Sequence, residues 1–266
     1  MHNMCKGIHA HLHTNRRSSD CQEHFDFYTA LYDKTMEDLP FMVRTAQSRY
    51  HVCCNPWDYD IVLCTDHAAR MIVNERHNEA LAMRWECRGM STCHIEWSGE
   101  ALIGATAQPQ SMIIWWGMEL IGCPRGAGTA RCGVVQGIVY TITQIDYANV
   151  YLSMNSEYQT APGHAEDDDE DLPDADVAKA PLRITIPKLD APKLLRLTHA
   201  MCYYTIQGRT LKNKRILLLV TEFKHFTCRA LIVGLRRVTH GAHASVATRE
   251  MEERVTDRRR THARRI

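Results

Sequence analysis

Several features that would place this sequence in a familiar class are absent from it. No apolar run in its 266 residues reaches the ~18 residues that cross a membrane. The first residues, MHNMCKGIHAHLHTNRR, have no apolar core segment and do not form a secretory signal. The 11 cysteines include no Cys-x-x-Cys pair, which is the spacing typical of zinc and redox motifs. We therefore expect an intracellular protein, cytoplasmic or nuclear, with reduced thiols, no bound metal and no membrane partner.

The small formal net charge of +1 conceals an uneven distribution. One segment, EDDDEDLPDAD (166–176), contains eight acidic residues and no basic one. Outside it, the sequence has 32 basic residues against 23 acidic ones. A basic globular part favours a polyanionic partner, and nucleic acid is the first candidate. The alternative is a soluble protein whose charges simply balance.

The two ends of the sequence show the pattern of an α/β fold. Tyr59–Cys64 is a short apolar run typical of a buried parallel strand. Thr65 or Asp66 then caps a helix whose shared face is formed by Ala69, Ile72, Val73, Arg76 and Ala80. An earlier amphipathic helix is expected over HFDFYTALYDKTMEDL (24–39), with Phe27, Leu31, Met36 and Leu39 near helical spacing.

The last third repeats this pattern. Arg215–Val220 is a second buried-strand candidate. FTCRALIVGLRRV (226–238) follows as a helix, and ASVAT (244–248) as a last short strand. The two α/β pieces, about 58–90 and 190–250, are expected to close into one sheet.

The middle of the sequence has a different residue pattern. Strand-like pieces alternate with glycine and proline, and Gln136-Gly137 is expected to form a tight turn between two of them. This pattern predicts a small β-barrel inserted into the α/β domain. The predicted organisation is a disordered leader (1–20), a first α/β piece (21–95), the insertion (96–188) with a flexible acidic loop (164–178), a second α/β piece (189–250) and a basic tail (251–266).

Three stretches follow one another in a distinctive order: IVLCTDHAARMIVNERHN (61–78), LTHAMCYYTIQGRTL (197–211) and FTCRALIVGLRRV (226–238). This order resembles the C-terminal half of superfamily-1 DNA helicases, nearest the RecD-like and petite-integration-frequency branch. The resemblance covers roughly residues 55–250. It implies a RecA-like parallel-sheet domain interrupted by a small SH3-like barrel, with Gln136-Gly137 in place of the barrel's Asn-Gly turn.

The resemblance also implies roles for individual residues. Arg237 matches the arginine finger, which would make it the catalytic residue. Gln207, Gly208 and Thr210 match the nucleotide-binding motif, in which Gly208 faces the phosphates and Thr210 the ribose. Single-stranded DNA contacts are implied for Thr198, His199, Tyr204 and Asn78, with Asn74 an alternative to Asn78. Trp115, Trp116, Tyr203 and Tyr204 are candidates for stacking on bases, against core packing as the alternative.

The sequence departs from the family pattern in three places. The family's His-Lys-Ser before Gln-Gly is here Tyr204, Thr205 and Ile206, and the Ser before the finger is Arg236, so two arginines compete for that role. No Gly-x-x-x-x-Gly-Lys-Ser/Thr occurs, and no apolar strand ends in an Asp-Glu pair for magnesium. GCPRGAGTARCG (122–133) is glycine-rich but lacks the Lys-Ser/Thr. We expect a helicase fragment that lacks its first motor domain. The fragment would need that domain to bind ATP and Mg²⁺ and to hydrolyse ATP. The alternative is a non-enzymatic nucleic-acid-binding module.

Overall fold

The computed structural model describes residues 21–50, 55–99, 108–124, 133–154, 183–206, 211, 213–219 and 226–256. The expected leader (1–20), the acidic loop (164–178), the motif residues Gln207, Gly208 and Thr210, and the end of the basic tail after Thr256 lie outside these ranges. The chain divides into two compact units. The first contains the residues up to Asp66 and from Met201 onward, and the second is His67–Ala200.

The elements are numbered in chain order. The helices are α1 (Gln22–Ala30), α2 (Leu39–Arg49), α3 (His67–Glu86), α4 (Ala191–Leu194), α5 (Cys228–Leu235) and α6 (Arg249–Thr256). The strands are β1 (Ile61–Cys64), β2 (Cys93–Ile95), β3 (Met112–Ile114), β4 (Glu119–Gly122), β5 (Val139–Ile145), β6 (Asn149–Met154), β7 (Arg183–Pro187), β8 (Leu195–Leu197), β9 (Ala200–Cys202), β10 (Ile216–Leu218) and β11 (Ala244–Val246).

The first unit is built on a four-stranded sheet in the order β11-β10-β1-β9. β10 runs parallel to both of its neighbours, with Ile216 opposite Ile61 on one side and Ala244 on the other. Every residue of the four strands is buried. Strands of a parallel sheet are covered on both faces, which is why they appear in the sequence as continuous apolar runs. The predicted α/β fold with a parallel sheet is therefore confirmed, and β1, β10 and β11 lie where the sequence predicted strands.

Helices α1, α2 and α5 contribute to the core of the first unit. The apolar face of α5 is buried through Cys228, Leu231, Ile232, Gly234 and Leu235. The sequence predicted a helix here over 226–238, and the helix ends three residues earlier, at Leu235. Gly234 permits a close approach, because a Cβ there would lie 2.5 Å from Leu218 Cδ2 and 2.9 Å from Tyr203 Cε1. The helix can pack this tightly on β10 only because residue 234 has no side chain.

The predicted helix over 24–39 is wrong in its second half. α1 ends at Ala30 and is followed by a short 3₁₀ turn, Leu31–Asp33, and then by a break before α2. Phe27 and Leu31 are buried as expected, whereas Met36 is exposed. The helical spacing of the apolar residues continued past the point where the backbone turns.

His24 connects α1 to two neighbouring segments of the first unit. Its Nε2 lies 3.0 Å from the Leu235 carbonyl oxygen and its Nδ1 lies 2.8 Å from the Tyr50 hydroxyl. A carbonyl only accepts, so Nε2 carries the proton and Nδ1 accepts from Tyr50. Burial lowers the pKa of His24, and its hydrogen bond to Leu235 opposes that shift. The ring is therefore a neutral structural link.

The second unit is built on an antiparallel sheet in the order β7-β6-β5-β4-β8. Burial alternates along β7, where Ile184 and Ile186 are buried and their neighbours are exposed, as in a sheet with one covered face. A register shift between Ile142 and Gln144 marks a bulge in β5. Gln136-Gly137 forms the predicted turn, with Gly137 at φ +82°. Among the described residues no pairing joins the edge strands β7 and β8, so the predicted closure into a barrel is not shown.

The buried face of α3 differs from the one that the sequence predicted. The buried residues are Arg70, Val73, Asn74, His77, Asn78 and Ala82, and only Val73 belongs to the predicted set. The prediction followed the apolar residues, but much of this face is polar. Its burial depends on hydrogen bonds and ring contacts that hydrophobic spacing does not reveal.

Candidate nucleotide and nucleic-acid site

The chain leaves β9 through a turn at Tyr203–Ile206, directly before the proposed nucleotide motif. The Tyr203 amide donates to the Cys64 carbonyl oxygen at 3.2 Å, and its hydroxyl donates to the Leu219 carbonyl oxygen, also at 3.2 Å. Burial raises the pKa of Tyr203 well above its ordinary value. Tyr203 is therefore a core residue, whereas Tyr204 is 54% exposed and presents its ring at the surface.

Arg237 contacts both residues that flank the segment 207–210. Its Nη1 donates to the Ile206 carbonyl oxygen at 3.1 Å, and its own carbonyl oxygen accepts from the Leu211 amide at 2.7 Å. Its Nε donates to the Val233 carbonyl oxygen, one turn back in α5, at 2.9 Å. The guanidinium is buried, with 7% of the residue exposed. The first unit thus brings the predicted finger to the two ends of the predicted nucleotide motif.

Arg236 has a different environment from Arg237. It is exposed, its Nη1 donates to the Tyr32 hydroxyl, and its guanidinium carbon lies 5.8 Å from the centre of the Tyr28 ring. α5 ends at Leu235, so both arginines lie in the turn that follows the helix. Arg236 therefore contacts tyrosines of α1 and the turn after it, and Arg237 contacts the flanks of 207–210. The sequence did not indicate which of the two arginines would contact this segment.

Two asparagines of α3 bind strand backbones in the same manner. Asn78 donates from Nδ2 to the Ile113 carbonyl oxygen at 2.8 Å and accepts from the Ile113 amide at 2.7 Å. Asn74 donates to the Ala200 carbonyl oxygen at 3.2 Å and accepts from the Ala200 amide at 2.7 Å. Both asparagines are buried. Each amide group completes the hydrogen bonding of one strand residue, and the predicted DNA contact of Asn78 stays a prediction.

Thr198 and His199, the other predicted DNA contacts, also belong to the second unit. The Thr198 hydroxyl donates to the Glu119 carbonyl oxygen at 3.1 Å. His199 is buried, and its ring centre lies 4.8 Å from that of His77. Burial, and then the neighbouring His77, lowers the pKa of His199 to about 3. His199 is therefore neutral near pH 7.

The predicted stacking residues divide by exposure. Trp115 is buried, with its ring centre 5.9 Å from that of Trp85, whereas Trp116 is 66% exposed. Trp116 in the second unit and Tyr204 in the first are thus the two of these aromatic residues at the surface.

One charged residue that the sequence analysis did not single out is Arg70, which is buried on α3. No sequence motif singled it out, because its significance depends on burial.

The described residues contain no group of three or more histidines, cysteines or carboxylates placed to hold a metal ion. Their seven cysteines, Cys21, Cys64, Cys87, Cys93, Cys123, Cys202 and Cys228, are all free thiols. Within the same ranges, no helix is both long and apolar enough to span a bilayer.

Comparison with known proteins identifies relatives by structure alone. No protein-family model matches the chain, and no curated protein matches its sequence. A crystal structure of Pif1 helicase from Candida albicans matches with a TM-score of 0.51 and 14% identity, over 94% of this chain and 58% of that one. The chain shares the fold of part of a Pif1 helicase.

A second Pif1 structure, from Bacteroides in complex with ADP-AlF3 and single-stranded DNA, matches with a TM-score of 0.45 and 14% identity, over 94% of this chain and 56% of that one. The chain spans a little over half the length of the Pif1 structures that it matches. At 14% identity, the likeness to the Candida albicans structure establishes the fold alone.

Proposed function

We propose that this chain supplies the second motor domain of an ATP-dependent superfamily-1 DNA helicase of the Pif1 type. In this proposal the first unit is a RecA-like domain, and the sheet of the second unit is an SH3-like insertion. The observation that carries the proposal is the position of Arg237. A residue that matches the finger motif bonds to both flanks of the segment that matches the nucleotide motif. The likeness to the Candida albicans Pif1 fold supports the same reading.

Arg237 is proposed as the arginine finger. A transferring phosphoryl group spreads negative charge over its oxygens, and a fixed guanidinium stabilises that charge. A guanidinium carries five N–H donors in a fork, so it can hold a backbone carbonyl and a phosphate oxygen together. The bond to Ile206 would fix the orientation of the finger relative to Gln207, Gly208 and Thr210, the proposed nucleotide-binding residues.

In this proposal, binding of ATP and Mg²⁺ requires a further domain. The printed sequence contains no Gly-x-x-x-x-Gly-Lys-Ser/Thr, the loop that grips phosphates and positions magnesium in motor ATPases. A first motor domain, on the same or another polypeptide, would supply it. Arg237 would then complete the site from the opposite side. We propose that the protein acts inside the cell, in the cytoplasm or nucleus, where its 11 cysteines stay reduced.

Single-stranded DNA is the proposed substrate strand. Bases stack on exposed aromatic rings, and phosphates attract basic surfaces. Tyr204 and Trp116 offer exposed rings, and the sequence outside 166–176 is basic. Thr198, His199 and Asn78 remain proposed contacts. Because His199 and Asn78 are buried, they would reach a strand only after a local rearrangement.

The test is to join the chain to a first motor domain of a Pif1-type helicase and to measure ATP hydrolysis with single-stranded DNA. The chain alone should show no turnover, and the joined protein should hydrolyse ATP. Arg237→Ala in the joined protein should lower kcat by about 10³-fold or more and leave DNA binding nearly intact. Arg236→Ala is the matched control and should retain activity. Loss of activity with Arg236→Ala instead would move the finger by one residue.

A second candidate function is a nucleic-acid-binding module without motor activity. The absence of a phosphate-loop motif from the printed sequence, together with the basic balance outside 166–176, favours this alternative. It predicts DNA or RNA binding by the chain alone and no ATPase in the joined protein. An inactive joined protein in which both units are folded would therefore support the binding module.

A further inference from the structure

The side-chain amide of Gln110 is buried in the second unit without a partner. Gln110 is 8% exposed, and both its Nε2 and its Oε1 are shielded from solvent and make no hydrogen bond with the residues that the structure describes. The buried amides of Asn74 and Asn78, by contrast, each donate to a strand carbonyl and accept from a strand amide. A primary amide has two N–H donors and a carbonyl acceptor, and its burial is costly when none of them is used. Gln110 therefore has both a donor and an acceptor available for a ligand.

Gln110 lies at the end of the ladder formed by β2 and β3. In this antiparallel pair Ile95 is opposite Met112, and just beyond it the Trp97 amide donates to the Ser111 Oγ at 2.9 Å. Continuing the register by two residues on each strand places Trp97 opposite Gln110, on the same face as Ile95 and Met112. Directly opposite side chains have Cβ atoms about 4.5–5.5 Å apart. This register places the Gln110 and Trp97 side chains side by side at the end of a buried apolar face.

Trp97 also lies beside a cation. The Nζ of Lys193 is 5.8 Å from the centre of the Trp97 ring and 3.1 Å from the Asp190 Oδ1. Lys193 is exposed and Trp97 is half-buried, so solvent reaches the ammonium and part of the ring. Around Trp97 the second unit thus brings together an aromatic ring, an amide that can both donate and accept, and a lysine.

We propose that Trp97, Gln110 and Lys193 form a binding site for an adenine nucleotide unit. Adenine presents an acceptor beside an amino donor, N7 beside N6, and a glutamine amide matches this pair with two hydrogen bonds. The indole ring stacks on the base, and the ammonium contacts the phosphate. Because the amide is shielded in the free protein, the Trp97 side chain turns outward to admit the base.

The adenine unit is either a free nucleotide or one residue of a nucleic-acid strand, which present the same base and phosphate. All three side chains lie in the second unit, and none of them belongs to the proposed nucleotide motif or to the finger. The site therefore does not depend on the proposed helicase activity.

The first test measures the affinity of the full chain for AMP by equilibrium dialysis. We expect saturable binding, and purine riboside monophosphate, an AMP analogue without the 6-amino group, should bind about tenfold more weakly. Gln110→Leu should weaken AMP binding about tenfold or more and keep the fold, because it removes a buried amide that has no partner. Gln144→Leu, which changes an exposed glutamine of the same unit, is the control and should retain the affinity. AMP binding that is unchanged in Gln110→Leu, or equal for AMP and its analogue, would overturn the site.

The role of Lys193 is tested with AMP and adenosine in parallel. Lys193→Met should weaken AMP binding about twofold to fivefold and leave adenosine binding unchanged, because adenosine has no phosphate. Lys188→Met, in the turn Lys188–Asp190 that precedes α4, is the matched control and should change neither affinity. An equal loss for AMP and adenosine in Lys193→Met would contradict the phosphate contact.

Titration with oligodeoxyadenylate and with oligothymidylate then identifies the source of the base. Binding of oligodeoxyadenylate that is tighter than that of AMP and depends on Gln110 assigns an adenine within a strand, and oligothymidylate should not show this dependence. Binding of AMP that depends on Gln110, with no gain from the strand, assigns a free nucleotide. If neither adenine probe binds in a manner that depends on Gln110, the proposal is refuted. Failure of the helicase function alone would leave these results unchanged.

Discussion

At the scale of the residue, Arg236 and Arg237 show what a sequence motif leaves undecided. Both follow α5 in the sequence, and either could fill the place of a finger. The choice depends on backbone direction after Leu235, which sends one side chain to Tyr32 and the other to the Ile206 carbonyl. The spacing of apolar residues does not predict the directions of these two side chains, because both arginines follow the end of the helix. The motif identified the pair of residues, and their tertiary contacts differ, while the finger role of Arg237 stays a proposal.

The two arginines should differ in their contribution to stability. Arg237→Met removes the donors to Ile206 and Val233 and leaves a buried carbonyl without its partner, so we expect a loss of about 1–3 kcal/mol in the free energy of unfolding. Arg236→Met changes an exposed side chain and should cost less than about 1 kcal/mol. Urea unfolding of the two variants measures both values. A larger loss for Arg236→Met would contradict the contacts described for Arg237.

The buried ring of His199 makes stability depend on pH. Its folded pKa of about 3 lies below the ordinary value near 6.5 of the unfolded chain, so between these values the unfolded state binds more protons. Stability should therefore fall as pH is lowered through 6.5, by about 2 kcal/mol from His199 between pH 7 and pH 5. His199→Leu should flatten this part of the profile, measured by urea unfolding at both pH values. The exposed His94, changed to Leu, is the control, and an equal flattening there would show that His199 is not responsible.

At the scale of the element, strands were easier to predict than the faces of helices. β1, β10 and β11 are continuous apolar runs in the sequence, because a parallel strand is covered on both faces. α5 was predictable for a related reason, since its buried residues are apolar. α3 was not, because Arg70, Asn74, His77 and Asn78 occupy its buried face. Hydrophobic spacing locates a helix, but it does not orient one that buries polar side chains.

The packing of α5 on β10 gives a prediction at this scale. Gly234→Ala would place a methyl group 2.5 Å from Leu218 Cδ2 and 2.9 Å from Tyr203 Cε1. Both neighbours are buried and cannot move away freely, so overpacking should cost about 1–3 kcal/mol, which exceeds the helix-propensity gain of about 1 kcal/mol. Thermal or urea unfolding measures the net loss. Arg229→Ala, at an exposed position of the same helix, should stay within about 0.5 kcal/mol. A stabilised Gly234→Ala would show that the helix can shift away from the sheet.

At the scale of the whole molecule, the order of the motifs was informative although each motif alone was weak. The sequence predicted an α/β domain with a β-rich insertion, and the structure has a parallel sheet in one unit and an antiparallel sheet in the other. The division after Asp66 and before Met201 differs from the boundaries drawn at 96 and 188. The residue pattern of the sequence changes where the strands of the insertion begin. A compact unit is instead defined by which elements pack together, and α3 belongs to the second unit.

The uneven charge distribution gives the last prediction. If single-stranded DNA binds through the basic surface, its affinity should fall linearly with salt on logarithmic axes, because binding releases counterions. Five arginines, Arg258, Arg259, Arg260, Arg264 and Arg265, lie within the last nine residues. Changing all five to Gln keeps the length of the chain. If the tail contacts phosphates, this change should weaken binding and reduce the slope by up to about 3.5, at about 0.7 per contact.

Fluorescence anisotropy with labelled oligothymidylate at several salt concentrations measures this slope. The control replaces the eight acids of 166–176 with Gln and Asn, which removes repulsion and should strengthen binding without lowering the number of phosphate contacts. An unchanged slope in the arginine variant would show that the tail takes no part and that the contacts lie on the folded units. Binding that does not respond to salt at all would refute the electrostatic interface, and a lack of any binding would refute the nucleic-acid partner on which both proposed functions depend.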